Sequence, residues 1–221
     1  MAISMTNDPL LVLASASPRR RQILSLLGIP FEAIEVDVDE SPLRGEAPEA
    51  LALRLAIAKA RAGAFRYPSA LVLGADTVVE LDGESLGKPG SPEEAIETLE
   101  RLRGRAHRVI TAVALASPEA PETRTSVRVS TTEVRMRDYI DREIQEYVAS
   151  RDPFDKAGSY AIQHAAFHPV ERIEGCFLNV VGLPLPEVCD LLRAAGRKPT
   201  VDLGNLDALC PGCMDSVVLL G

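Results

Sequence analysis

The chain has 221 residues, 46% of them hydrophobic, with four cysteines, a net charge of −8 and a pI near 5.0. That is enough apolar material for one globular unit or two small lobes with a proper core. The acidic balance argues against a duplex-binding protein that works through a basic face, and no apolar run approaches the roughly 20 residues of a membrane span.

The first predicted element is a strand at Leu10 to Ala14, feeding a helix from Pro18 to Leu27 closed by Gly28. Ser17 is the expected N-cap and Pro18 the first helical residue, which leaves backbone N–H groups pointing outward at the helix start. Arg19 and Arg20 follow. Arginine is electrostatically misplaced there, so the pair implies an anion that outweighs the repulsion, phosphate above all. The alternative is a solvated basic first turn. A short strand near Phe31 to Val36 runs into the acidic segment Asp37 to Glu40, and a helix is expected from Pro48 to about Phe65. Lys59 falls on the edge of its apolar face, one turn after Leu55.

Ala70 to Ala75 reads as a strand buried on both faces and ending at Asp76-Thr77, which places a carboxylate at a strand end. Val78 to Leu81 and Glu84 to Leu86 form a hairpin around Asp82-Gly83, delivering Gly87-Lys88-Pro89 into a loop. A capping box at Ser91 to Glu94 opens a helix that ends at Gly104. Two strands, Arg108 to Ala116 and Ser126 to Met136, are joined by a loop with Pro118 and Pro121. A helix from Tyr139 to Ser150 takes Asp138 as its expected N-cap. Asp155 to Gln163 is a polar loop of the kind that carries function. Cys176 to Val181 reads as a strand and Pro186 to Ala194 as a helix stopped at Gly196. The expected organisation is a single unit over 1–196 with a weakly structured tail over 197–221, in which Val217 to Leu220 is apolar enough to dock.

The expected fold class is therefore α/β, a mixed twisted sheet with flanking helices and two lobes around a cleft. The sequence contains neither G-x-G-x-x-G nor a Walker motif, which disfavours dinucleotide oxidoreductases and P-loop enzymes. The start of the chain has no basic stretch leading into a cleavable apolar core, so a cytoplasmic location and reduced cysteines are expected. Cys210 and Cys213 have C-x-x-C spacing without a second pair, and read as a structural or incidental feature of the tail. No catalytic role is assigned to His107, His164 or His168.

Only Lys59, Lys88, Lys156 and Lys198 stand among 24 basic residues. Where arginine is so favoured, a surviving lysine is either chance at an exposed site or a place that needs a compact ammonium. Arg19, Arg20, Lys59 and Lys88 together would offset most of the charge of a nucleoside triphosphate bound with a divalent cation. Glu40 and Asp76 suit the cation, since Mg²⁺ takes hard oxygen ligands and needs only one or two carboxylates. Glu40, in an acidic stretch, fits a surface acid equally well.

The chain resembles the Maf family of nucleoside triphosphate pyrophosphatases. The residues that carry the resemblance are Ala14-Ser15-Ala16-Ser17-Pro18-Arg19-Arg20, Asp39-Glu40, Lys59, Gly74-Ala75-Asp76-Thr77, Leu86-Gly87-Lys88-Pro89, Asp155-Lys156-Ala157-Gly158, Tyr160-Ala161-Ile162-Gln163 and Val181-Gly182-Leu183-Pro184. The resemblance implies a fold similar to the inosine triphosphate pyrophosphatases, a deep cleft, a homodimer, and hydrolysis between the α and β phosphates with Mg²⁺ or Mn²⁺. It implies Glu40 and Asp76 as metal ligands, with Asp76 also acting on the attacking water. Lys59 and Lys88 would stabilise phosphate charge, and Ser17, Arg19, Arg20 and Gln163 would bind substrate. No nucleic-acid or membrane partner is implied.

Gly74 to Thr77 and Tyr160 to Gln163 look like the branch that acts on dTTP and UTP, although Ala161 and His164 replace glycines common in that branch. The alternatives are the same reaction on a modified purine or cytidine triphosphate, and a non-catalytic nucleotide-binding regulator of cell division. Lys156 is either catalytic support or a partner of Asp155.

Overall fold

The structure, a computed structural model, describes residues 10–117, 125–199 and 217–219. The Pro118 and Pro121 loop and the Cys210 and Cys213 pair lie outside the described residues.

The sheet begins with β1 (Leu11–Ala14), parallel to β2 (Phe31–Ile34) on one side and to β3 (Leu71–Leu81) on the other. Between them run α1 (Pro18–Ser25) and α2 (Pro48–Arg66). A hairpin through Asp82 and Gly83, both with positive φ, returns β4 (Glu84–Leu86) onto the end of β3. Helix α3 (Pro92–Leu102), capped by the Ser91 hydroxyl, leads to β5 (Ala106–Ala116) and β6 (Thr125–Met136), which continue the sheet antiparallel. After α4 (Asp141–Ala149), β7 (Val170–Glu174) pairs with β6. Two further helices, α5 (Phe177–Val181) and α6 (Leu185–Ala194), precede β8 (Val217–Leu219), which pairs with β7. The path across the sheet is β2-β1-β3-β5-β6-β7-β8, with β4 on β3. This is the mixed α/β sheet expected.

Three cores serve it. Alternate residues of β1 and β3 point to opposite faces. Leu11, Leu13, Leu73 and Val113 pack under α1 and α6, while Val12, Ala14, Val72 and Ala114 pack under α2. The far ends of β3, β5 and β6 supply Leu81, Val109 and Met136 to a separate core with α3 and α4. The expected two-lobed organisation thus takes the form of two ends of one sheet, with β3 and β5 common to both.

Four details differ from the sequence reading. Leu71 to Leu81 is one strand of eleven residues, not two, so Asp76 stands mid-strand. Residues 177–181 are helical, because the Cys176 Sγ accepts the Asn179 N–H and the strand lies earlier, at Val170–Glu174. Helix α4 starts at Asp141 with Ile140, not Asp138, as N-cap; the Glu143 carboxylate accepts the Ile140 N–H at 2.9 Å, and Tyr139 is held in the core by donating to Leu99 O. Part of the tail is a regular strand, since residues 217–219 extend the sheet.

Candidate active site

The pairing of β1 with β3 stops at Ala14 opposite Gly74, while β5 pairs with β3 from Val72 to Glu80. From Ala75 to Val78 one edge of β3 is therefore free of strand neighbours, and β4 joins only at Val79. Asp76 stands in that gap, beside the turn that carries the chain from β1 into α1. As the sequence predicts, Ser17 caps α1 with extended backbone, its Oγ accepting the Arg20 N–H at 3.4 Å, and no acidic residue balances the arginines of the first turn. The Ser17 hydroxyl proton remains available to a ligand.

Helix α2 lies unusually close to the strand opposite Gly74. A Cβ at that residue would collide with the Ala56 carbonyl oxygen and lie 2.5 Å from Ala60 N. This approach brings Lys59, one residue before Ala60, onto Asp76. The Lys59 ammonium is 2.6 Å from Asp76 Oδ1 and 2.6 Å from Glu40 Oε1. Lys59 and Asp76 are buried, and Glu40 reaches in from the exposed segment after β2. Glu40 is therefore more than a surface acid. Burial works against its charge, but the hydrogen-bonded Lys59, with Lys88 and Arg20 further off, outweighs burial and holds the carboxyl below its ordinary range.

The two arginines diverge. Arg19 extends along the mouth of the site and pairs with Asp155 Oδ2 at 3.2 Å. Arg20 turns inward, donating to Gly182 O at 2.9 Å, Thr77 Oγ1 at 3.0 Å and Ser15 Oγ at 3.4 Å. These partners are neutral. Burial works against the Arg20 charge, and Asp76 and Glu40 support it from a distance. A guanidinium fixed by neutral oxygens keeps its full charge for a ligand.

Beneath Arg20 lies a polar ladder. The Thr111 hydroxyl donates to Asn179 O at 3.1 Å, so its 2.9 Å contact with Thr77 must use the Thr77 proton, leaving Thr77 lone pairs towards Arg20. Asn179 itself donates to Val109 O and Thr132 Oγ1. Sequence reasoning missed the roles of Thr77, Thr111 and Asn179. The available signal was a polar residue interrupting an apolar run, as at Thr111 in β5 and Asn179 in α5.

Of the predicted residues, Ser17, Arg19, Arg20, Glu40, Lys59, Asp76 and Lys88 gather here. Lys88 is exposed on the loop after β4, and its charge acts on Glu40. Gln163 is exposed on the turn after Tyr160 and is not hydrogen-bonded to the cluster. His107 is buried instead in β5, bonded to the Tyr160 hydroxyl at 2.7 Å. A groove of about 670 Å³ between α3, α4 and Phe154 contains none of these residues.

The carboxylate pair suits a hard divalent cation. Glu40 and Asp76 each give one oxygen to the same nitrogen, so the two groups are neighbours, and Glu40 Oε2 and Asp76 Oδ2 take no hydrogen bond among the described residues. Among the described residues no group of three or more His, Cys, Asp or Glu is assembled for a metal ion. Two protein oxygens are few for an all-protein cage, but they match the way Mg²⁺ is held jointly by one or two carboxylates, water and substrate phosphates.

A dTTP/UTP pyrophosphatase of Thermomicrobium roseum is 50% identical over 205 residues, covering 92% of this chain and 92% of that protein. A dTTP/UTP pyrophosphatase of a Geobacter species is 47% identical, covering 88% and 97%, and one of Moorella thermoacetica is 49% identical, covering 84% and 95%. A HAM1 protein structure from Coxiella burnetii is 19% identical with a TM-score of 0.44, covering 59% of this chain and 74% of that one, a likeness too slight to build on. The family model for Maf-like proteins matches residues 10–195, from the residue before β1 to the residue after α6, and the chain belongs to that family.

Proposed function

We propose that this protein is a nucleoside triphosphate pyrophosphatase that hydrolyses dTTP and UTP between the α and β phosphates, releasing the monophosphate and pyrophosphate. The observation that carries the reading is Lys59 held between the Glu40 and Asp76 carboxylates, with the charges of Arg20 and Lys88 acting on Glu40 and Arg19 beside Arg20 at the mouth. Identity near 50% with dTTP/UTP pyrophosphatases supports the choice of nucleotide.

Glu40 and Asp76 would hold Mg²⁺ or Mn²⁺ through their uncommitted oxygens. When bound, such a cation neutralises phosphate charge and makes water more acidic. Asp76 orients the attacking water and takes its proton as the new bond to the α phosphorus forms and the bond to the bridging oxygen breaks. Lys59 keeps the two carboxylates adjacent, and its third N–H is open to a phosphate oxygen. Arg19, Arg20 and Lys88 stabilise the charge that builds on the departing pyrophosphate. Ser17 donates to a phosphate oxygen, and Gln163 contacts the nucleotide from its exposed turn.

The reading includes a homodimer in the cytoplasm without nucleic-acid or membrane partners. Among the described residues no helix is long and apolar enough to cross a membrane, and the acidic charge supports the lack of nucleic acid. Light scattering tests the dimer. Pyrophosphate release measured over a nucleotide panel with Mg²⁺ tests the function. Highest turnover on dTTP and UTP is expected. A peak on another triphosphate would move the substrate, and binding without release would make the protein a nucleotide-responsive regulator.

A further inference from the structure

The segment from Asp152 to Ser159 borders the site without a place in the chemistry above. It is made of two tight turns, Asp152–Asp155 and Ala157–Ser159. Lys156 between them is buried. Its ammonium donates to Asp152 O at 2.5 Å, Asp152 Oδ1 at 3.0 Å and Asp155 Oδ1 at 2.6 Å. An ammonium has three N–H donors, so all are spent and none is left for a phosphate. Of the two roles the sequence allowed, Lys156 is the partner of Asp155.

Asp155 passes the constraint on. While Oδ1 is held by Lys156, Oδ2 accepts from Arg19. Behind Lys156, Asp152 Oδ2 accepts from the Tyr147 hydroxyl at 2.7 Å, whose oxygen accepts the Ala161 N–H at 3.0 Å. Tyr147 is stacked on Phe167 in the core of that end of the sheet. An unbroken line of polar contacts thus runs from buried Tyr147 to Arg19 at the mouth. The same segment is clamped to β3, where a Cβ on Gly158 would come within 2.9 Å of Val79, and the Gly158 N–H donates to Gly87 O beside Lys88.

The Arg19 to Asp155 contact is largely exposed, 32% and 63% at the two side chains, and such a pair stabilises a fold little. A buried lysine committed to fixing an exposed carboxylate makes sense as orientation. Resting on the function proposed above, we propose that Asp155, seated on Lys156, is a positioning residue that aims the Arg19 guanidinium at the incoming phosphates.

The test is a double-substitution cycle, with dTTP as probe, on Asp155→Asn, Arg19→Ala and the pair together, followed by both turnover and equilibrium binding. Asp155→Asn should raise KM about fivefold with kcat nearly unchanged, and Asp155→Glu should recover part of the loss. With Arg19→Ala already present, adding Asp155→Asn should change KM by less than about twofold, because the carboxylate acts through that guanidinium. Lys156→Met should copy Asp155→Asn; if it fails to fold, the exposed Asp155→Asn decides alone. An equal effect in both backgrounds, or an unchanged or lowered KM in the single variant, overturns the inference. Wild-type protein that binds dTTP but releases no pyrophosphate sinks only the proposed reaction, since the cycle is then read from Kd. Wild-type protein that does not bind dTTP overturns both.

Discussion

Acidification should reveal that a charge on His107 opposes folding. Its imidazole is buried in β5, with Nε2 at 2.7 Å from the Tyr160 hydroxyl and a buried Nδ1 that has no hydrogen-bond partner among the described residues. Protonation would place a charge in this site and oblige both ring nitrogens to donate. Burial accordingly pushes the imidazole from its ordinary 6.5 down to about 4, against a weaker pull from Glu80. The unfolded chain takes up this proton near 6.5 and the folded one near 4, so the unfolded state binds more protons between those limits. Stability from this group is complete above about pH 6.5 and is lost as pH falls towards about 4. At about 1.4 kcal/mol per pKa unit, the loss between about pH 7 and about pH 4.5 is roughly 2 to 3 kcal/mol.

Urea unfolding of the wild type and His107→Gln at those two pH values isolates it, because every other titrating group contributes to both proteins. The wild type should lose about 2 kcal/mol more than the variant. Equal losses, within about 0.5 kcal/mol, would refute the reasoning.

Three substitutions probe the site directly. Asp76→Asn should lower pyrophosphate release about 10³-fold while leaving the circular dichroism spectrum intact; turnover near wild type would remove Asp76 from the mechanism. Arg20→Lys should raise KM about tenfold, because an ammonium cannot span Gly182, Thr77 and Ser15 as the guanidinium does, and steady-state kinetics with dTTP will read it. Gly74→Ala should cost about 3 kcal/mol in urea unfolding and depress turnover, since α2 must retreat and draw Lys59 off Asp76.

Local chemistry made much of the site legible. The Ser17 cap followed by Pro18 fixes the start of α1 through its own hydrogen bonds, and Asp82-Gly83 dictates its turn, so both were readable. Lys59 was readable as a lysine on the rim of an apolar face. That it meets Asp76, seventeen residues away in sequence, depends on Gly74 and Ala60 admitting close contact, which no local pattern states. Arg19 and Arg20 looked alike in sequence, yet one pairs with Asp155 and the other with neutral oxygens, because their directions are set by segments more than a hundred residues distant. Phe177 to Val181 has the β-branched and aromatic composition of a strand. It is helical because Asn179 must reach Val109 and Thr132, a demand of the tertiary structure. The break of the apolar run at Asp76-Thr77 suggested a strand end; the true interruption is in the partner, where β1 stops at Ala14, opposite Gly74, and β3 goes on.

That β3 and β5 serve both ends of the sheet has a mechanical consequence. Nine consecutive residue pairs bind them, from Val72 with Ala116 to Glu80 with Arg108, and the Asp76 gap lies within this ladder. Rotation of one end against the other would have to flex a doubly anchored ribbon, which behaves as a leaf spring and resists large excursions. The position of Asp76 is therefore set when the sheet forms, and on the proposed function nucleotides of different bulk would be met by movement of the off-sheet turns, such as the one bearing Gln163.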